Sequence, residues 1–306
     1  MFTMDHEIER TQEFTSTDSG WHAIQSLKSM YHWEVWGNTS KGIFLKGKSN
    51  ELIFLSNEKF RGPLTINFDP TVGNYFDRIE VGSKINYRPE PGFIFEQLKV
   101  KFIVDNQQPW KPEPYNSAGI DLGIWNNLDL LGGWLNSATP IGSFAHTSSL
   151  VALDIETVEE EKVRLFQLIR EIHEALNDYN YQRFRVAAQN LIGLGAGLTP
   201  SGDDFLSGMA LGIARFSKNL PILSKYLPWF EELIPIIEGK TTLLSSELFK
   251  VSLLGSADER IIGAFDSVME KNINMDQVVP PISTWGSSSG FDMMSGFYLL
   301  MKANQS

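Results

Sequence analysis

Hydrophobic and polar positions along this chain follow two rhythms. In the first third, "GIFLKG", "ELIFLSN", "PLTINFD", "SKINYR" and "KVKFIV" are short runs rich in Ile, Phe, Leu and Val, separated by Gly, Pro, Asn and Asp. Runs of that length and composition predict strands, and their spacing suits an antiparallel meander or a small barrel. We read residues 1–20 as an N-terminal extension and 21–110 as a β-rich domain. "QQPWKPEPYNS" then carries three prolines in a polar setting, which marks 111–118 as a linker.

Beyond it the period lengthens. From Thr157 onward, Val163, Leu165, Phe166, Ile169, Ile172 and Leu176 fall mostly three and four positions apart, the spacing of one helical face, with acids in the first turn. Further helices are expected over Asp204–Phe216, Ile222–Ile237, Thr242–Leu254, Arg260–Lys271 and Phe291–Lys302. The fold class is therefore α+β, an N-terminal antiparallel β-unit followed by a mostly α-helical domain over 119–306.

Composition narrows the function classes. With 306 residues, 42% hydrophobic and 12% aromatic, the chain can bury a substantial core. A formal net charge of −11 argues against nucleic acid as a partner, because a phosphate backbone calls for a basic face. There are no cysteines, so disulfides, thiolate nucleophiles and thiolate metal sites are excluded. The first residues lack the apolar core of a secretory signal, and no stretch reads as a membrane span. No membrane partner is expected, and the expected compartment is the cytoplasm.

The chemistry concentrates in "LIGLGAGLTPSGDDFLSG", Leu191 to Gly208. Gly193, Gly195 and Gly197 each carry a conformational cost that a backbone wrapping an anion would justify. Thr199 is the expected N-cap, with Ser201 the alternative, and Pro200 the expected first helical residue. Asp203 and Asp204 then fall in the first turn, where the helix dipole favours a carboxylate. Amides at the helix start, Gly202 among them, offer an anion site, and the two carboxylates could hold Mg²⁺ against a phosphate or orient a proton-carrying group.

The same pattern recurs. "SGDDFLSG" at Ser201–Gly208 returns as "SGFDMMSG" at Ser289–Gly296, with Ser287, Ser288 and Ser289 as hydroxyl caps and Asp292 in the first turn. The local geometry is expected twice. Gly208 and Gly212, four apart, predict a close helix crossing.

Better-known glycine motifs do not fit. A dinucleotide fingerprint needs G-x-G-x-x-G after a strand, whereas here the third glycine comes one position early and "RFRVAAQNLI" upstream reads as helix. "EGKTT" echoes the end of a P-loop, but Ile234 stands where its first glycine belongs and Pro235 interrupts it. His6, His22, His32, His146 and His173 are scattered without metal-ligand spacing. His146 has hydroxyl neighbours at Ser143, Thr147, Ser148 and Ser149, yet no nucleophile elbow accompanies it, and the stretch reads as a polar surface loop.

With "GLGAGLTPSGDDFLSG" as its anchor, the sequence resembles the AllH-like family, linked to the oxamate carbamoyltransferase of allantoin breakdown. Gly193 to Gly208 are similar to that family's signature at essentially every position, with Ala196 where proline is common. "RGPLTIN" at Arg61–Asn67, "KTTLLSSELFKVSLLG" at Lys240–Gly255 and "GSSSGFDMMSG" are weaker echoes, Lys240 standing where arginine is common. The resemblance implies a subunit that works with companion proteins, similar to acyl-CoA synthetase chains, to move a carbamoyl group between oxalurate and phosphate, giving oxamate and carbamoyl phosphate.

Three readings follow. In the first, the chain is a carbamoyltransferase subunit acting on small anions. Asp203, Asp204 and Asp292 are then catalytic, and Asp203 with Asp204 can hold Mg²⁺. Gly193, Gly195, Gly197, Thr199, Ser201, Gly202, Lys240, Ser288 and Ser289 bind substrate, and Arg183 and Arg185 are further basic candidates. The alternatives are a non-catalytic anion-binding or assembly subunit and a stand-alone hydrolase.

Overall fold

The computed structural model describes residues 11–90, 92–105, 107–116, 123–137, 140, 142–155 and 160–305. These divide into two compact units at Lys111/Pro112.

The first unit contains β1 (Gln12–Thr15), β2 (Asp18–Ser19), α1 (Trp21–Ser29), β3 (His32–Thr39), β4 (Gly42–Gly47), β5 (Leu52–Ser56), β6 (Thr65–Asn67), α2 (Gly73–Phe76), β7 (Lys84–Arg88), β8 (Gly92–Phe95) and β9 (Val100–Ile103). They form one sheet in the order β1-β9-β8-β7-β3-β4-β5-β6-β2. Its two edge strands are separated in sequence by Ser16 and Thr17 alone, a reach of roughly 10 Å, whereas nine strands laid flat would place the edges roughly 38 Å apart. The sheet must therefore curl until its edges meet. Ser16 N donates to Ile103 O (2.9 Å) on one edge side and Thr17 N to Asn67 O (2.8 Å) on the other.

The β-unit is thus a curled mixed sheet, with two departures from a pure antiparallel meander. β1 pairs parallel with β9 and β5 parallel with β6, the latter because residues 57–64 run back along β5 before the chain turns into β6. The segment assigned to an N-terminal extension supplies both edge strands from residue 12 onward. "QEFT" holds one apolar residue, so its pairing rests on backbone hydrogen bonds that leave no hydrophobic signal. Inside the curl, the Phe102 ring stacks on Phe14, tilts against Phe76 and meets Phe68 and Phe95 edge-on.

The second unit is helical: α3 (Ile124–Ser137), α4 (Ala145–Ala152), α5 (Val163–Asn177), α6 (Tyr181–Leu191), α7 (Ser201–Phe216), α8 (Leu227–Glu231), α9 (Ile234–Lys240), α10 (Leu243–Leu253), α11 (Glu259–Val268), α12 (Met275–Ser283) and α13 (Ser289–Lys302). The expected face of α5 buries Phe166, Ile169, Ile172 and Leu176, while Val163 remains 40% exposed. The acids expected in its first turn precede it instead: α5 begins at Val163 and its first turn holds none.

Helices α7 and α13 form the centre, and nearly every side chain along both is buried. They begin with the two copies of the repeat and lie in direct contact. A Cβ at Gly208 would sit 1.9 Å from the Met293 carbonyl oxygen, and one at Gly212 would sit 2.7 Å from the Phe297 ring. Both partners advance by four, so the helices run parallel. The reciprocal contact is also present: a Cβ at Gly296 would sit 1.9 Å from the Phe205 carbonyl oxygen. Because Phe205 and Met293 occupy the same place in their copies, as do Gly208 and Gly296, the copies exchange contacts about a local twofold axis. The close crossing predicted from Gly208 and Gly212 is this contact.

A side chain at Gly208 or Gly296 must push the two backbones apart, and overpacking of that kind costs about 1–3 kcal/mol or more. Gly208→Ala and Gly296→Ala are each expected to lower unfolding free energy by at least about 2 kcal/mol in denaturant titrations. Gly263→Ala, on α11 with nothing within 4 Å of its added Cβ, is expected to raise it by about 0.5–1 kcal/mol. Equal effects at the three positions would refute the close-contact account.

Candidate functional site

The parallel arrangement brings both repeat starts to one end of the unit, under the glycine loop. Gly193, Gly195 and Gly197 have φ of 77°, 123° and 96°, the left-handed region that side chains disfavour, so the cost anticipated for three glycines has a geometric reason. The loop is tied at several points. Leu194 N donates to Leu191 O and Gly202 N to Leu194 O, both at 2.9 Å, and the Thr242 hydroxyl donates to Leu198 O at 2.6 Å. Its outer rim, from Gly195 to Leu198, is exposed. Among the described residues, the amides of Gly195, Ala196 and Gly197 have no acceptor.

The start of α7 differs from the expected cap. Pro200 holds the N-cap position, Ser201 is the first helical residue, and no side chain caps the helix. Thr199 is instead turned across to the other helix, where its hydroxyl shares a 2.9 Å hydrogen bond with that of Ser289. Proline at the cap costs nothing there, because its missing donor leaves no helical bond unmade. At α13 the N-cap Ser288 likewise gives no side-chain cap, and Ser289 is the first helical residue.

Asp203 and Asp204 point to different partners, as consecutive helical positions must. Asp203 accepts from Gly193 N (2.8 Å) and from the Thr241 hydroxyl, which fastens the glycine loop to the turn before α10. Burial raises its carboxyl above the ordinary range, opposed by Thr241, Gly193, Ser245 and Lys240. Each of its two oxygens thus already accepts a protein hydrogen bond. Among the described residues no group of three or more His, Asp or Glu side chains is placed to hold a metal.

The carboxylates that share surroundings are Asp204 and Asp292, 2% and 0% exposed. Asp292 Oδ1 accepts from Phe144 N (2.7 Å) and Ser143 Oγ (2.9 Å) at the start of α4. Burial pushes its carboxyl up to about 6, against hydrogen bonding from Phe144, Ser201, Ser143 and Ser288. Burial holds Asp204 well above the carboxylate range, opposed by Ser289 and Thr199 and reinforced by the charges of Asp292 and Asp203. Each aspartate is thus eased by the first serine of the other helix, the same exchange seen at the glycines.

Gly202 seats the start of α7 on the end of α6, a Cβ there falling 2.0 Å from Leu191 O, and Gly290 seats α13 on α12 in the same way, 2.1 Å from Ile282 O. The Lys240 ammonium donates to Gln189 O and so braces the loop's approach. Arg183 is committed elsewhere, in ion pairs with Glu171, Glu174 and Asp178, and Arg185 lies beside Glu231 and Glu232. His146 is helical, with Nδ1 at 3.0 Å from Asn136 O. Ser143 and Phe144 were legible only as the surroundings of His146, and nothing local in the sequence linked them to Asp292. Thr241 and Thr242 lay in a recognised segment without an assigned task.

The raised Asp292 carboxyl fixes a sign. The folded state binds this proton more tightly than the unfolded chain, so wild-type stability falls as pH rises from about 4 through about 6. Asp292→Asn keeps an oxygen for Phe144 and Ser143 but has no proton to lose. Its stability relative to wild type is expected to rise by roughly 2 kcal/mol between pH 4 and 7 in paired denaturation curves. A difference that stays constant with pH would refute the assignment.

No solved structure gives a significant match to the chain. Residues 191–301 match the family model described as oxamate carbamoyltransferase subunit AllH, a span that holds the glycine loop and both aspartate-bearing helix starts and ends one residue short of the end of α13. Over that span, the centre of the helical unit is similar to the AllH family.

Proposed function

We propose that this chain is a subunit of a carbamoyltransferase-like enzyme that works with companion subunits on small anions in the cytoplasm, moving a carbamoyl group between oxalurate and phosphate in allantoin degradation. One observation carries the reading. Two parallel helix starts converge beneath a loop whose amides at Gly195, Ala196 and Gly197 have no acceptor among the described residues, within the stretch that matches the AllH family. Oxalurate, oxamate, phosphate and carbamoyl phosphate are all anions, and unpaired amides at helix N-termini favour them.

In this reading the loop amides and the hydroxyls of Thr199, Ser201, Ser288 and Ser289 face the anion and steady the charge that develops on the carbamoyl oxygen. Asp203 and Lys240 position the loop. Asp204 and Asp292 manage the proton that the departing nitrogen needs.

The test is phosphate-dependent oxalurate cleavage by the chain assembled with its companions. Asp204→Asn is expected to lower kcat about 10²-fold or more, and unchanged turnover removes that residue from the mechanism. Calorimetry on the full chain supplies the control: phosphate or carbamoyl phosphate, with and without Mg²⁺, is expected to bind, and Asp203→Ala to abolish binding by releasing the loop. Absence of binding together with intact complex formation would favour a purely assembling subunit.

A further inference from the structure

Asp204 Oδ2 and Asp292 Oδ2 are both buried, and neither has a hydrogen-bond partner. Groups with such exposure are ordinarily satisfied, because a buried unpaired polar atom costs as much as a lost hydrogen bond and a buried charge costs more. Among the described residues, no cation pairs with either carboxylate. The charges acting on Asp204 are those of Asp292 and Asp203, and Asp292 is met by an amide and hydroxyls. On α10, packed against α7, Lys250 is bound to Glu238 and Glu247. The Lys240 ammonium lies on Gln189 O, and α4 contributes His146 only toward Asn136 O. Two ionised carboxylates here would leave two mutually repelling buried charges.

One proton removes both difficulties. A carboxyl facing a carboxylate gives each orphan oxygen a partner and leaves a single charge, which Phe144 N, Ser143 and Ser201 stabilise on Asp292. The local twofold places the two side chains at the same level of parallel helices, and the charge of Asp292 acts on Asp204. An exit path lies beside it: Ser289 and Thr199 both bear on Asp204, and their hydroxyls are joined at 2.9 Å, with Thr199 at the partly exposed end.

We propose that Asp204 and Asp292 share one proton as a carboxyl–carboxylate pair, and that the Ser289 and Thr199 hydroxyls relay it to the mouth under the glycine loop. This deepens the carbamoyl-transfer reading and rests on it for its use. As a monohydrogen phosphate oxygen bonds to the carbamoyl carbon of oxalurate, the bond from that carbon to the oxamate nitrogen breaks. The nitrogen takes the relayed proton to become the amide of oxamate, and the proton lost by the attacking phosphate returns to the pair. Atoms and charge balance without a further reactant.

The proton can be observed without substrate. Infrared spectra of the full chain carrying ¹³C-carboxyl aspartate are expected to show a protonated carboxyl band at pH 7 that vanishes in Asp204→Asn and shifts to higher frequency in Asp292→Asn, where the carboxylate partner is gone, with folding checked by circular dichroism. A band that keeps its frequency in Asp292→Asn means that the Asp204 proton has no carboxylate partner, and no band in wild type means that both are ionised; either result overturns the pair. Should a variant fail to fold, ¹³C titration of wild type decides, two coupled steps supporting the pair and independent single steps refuting it. For the relay, deuteration of the band after transfer to D₂O is expected to slow at least tenfold in Thr199→Val, and an unchanged rate overturns it. Loss of the carbamoyl-transfer reading would show in the oxalurate assay and leave these spectra unaltered.

Discussion

The helical unit depends on two helices lying parallel at a separation that only glycine permits. With a Met293 carbonyl where a Gly208 Cβ would be, and a Phe205 carbonyl where a Gly296 Cβ would be, the backbones of α7 and α13 touch. Wider spacing would leave the narrow faces at Ser207 and Ser295, both nearly inaccessible, unfilled. Close packing is enforced by dispersion and by the exclusion of water. Because the two helices also start level, it sets two N-termini side by side.

That arrangement raises an electrostatic problem and supplies its answer. Adjacent parallel helices put two positive dipole ends together, which repel each other and attract negative charge. Asp203, Asp204 and Asp292 occupy those first turns, but burial makes full ionisation of all three expensive. The structure resolves the conflict unevenly. Asp203 has the Gly193 amide and the Thr241 hydroxyl, whereas Asp204 and Asp292 each have an oxygen without a partner. Where positive potential, buried carboxyls and an exposed glycine rim coincide, both an anion and a proton have a place.

Much of this was legible in the sequence, and the rest fails for identifiable reasons. Strong periodicity gave the long helices, and the repeated Ser-Gly-x-Asp pattern gave the two equivalent starts. Helix α12 escaped because Pro280 and Pro281 lie inside it, where proline normally forbids a helix. Helix α3 escaped because Gly132 and Gly133 lower its propensity, yet Gly132 is needed where a Cβ would meet the Tyr298 hydroxyl at 2.3 Å. In both cases tertiary packing overrode local preference. The cap was misplaced by a different mechanism: Thr199 found a partner in Ser289, ninety positions away, and a local rule cannot see across that distance. Ser143 and Phe144 reach Asp292 over a comparable separation.

The repeat itself explains which half carries the loop. Its two copies agree in serine, glycine and aspartate because each copy is the other's environment, and a reciprocal contact constrains both sides alike. They differ in polarity only at the third position, Asp203 in one and Phe291 in the other. Asp203 reaches outward to the Gly193 amide and to Thr241, whereas Phe291 stacks on Trp134 of α3 with ring centroids 5.4 Å apart. A carboxylate at this position fastens a loop of left-handed glycines, and an aromatic ring seals the matching place into the core. The twofold thus builds the paired carboxyls, and the one position whose polarity breaks it carries, on the α7 side, the carboxylate that ties down a loop open to solvent.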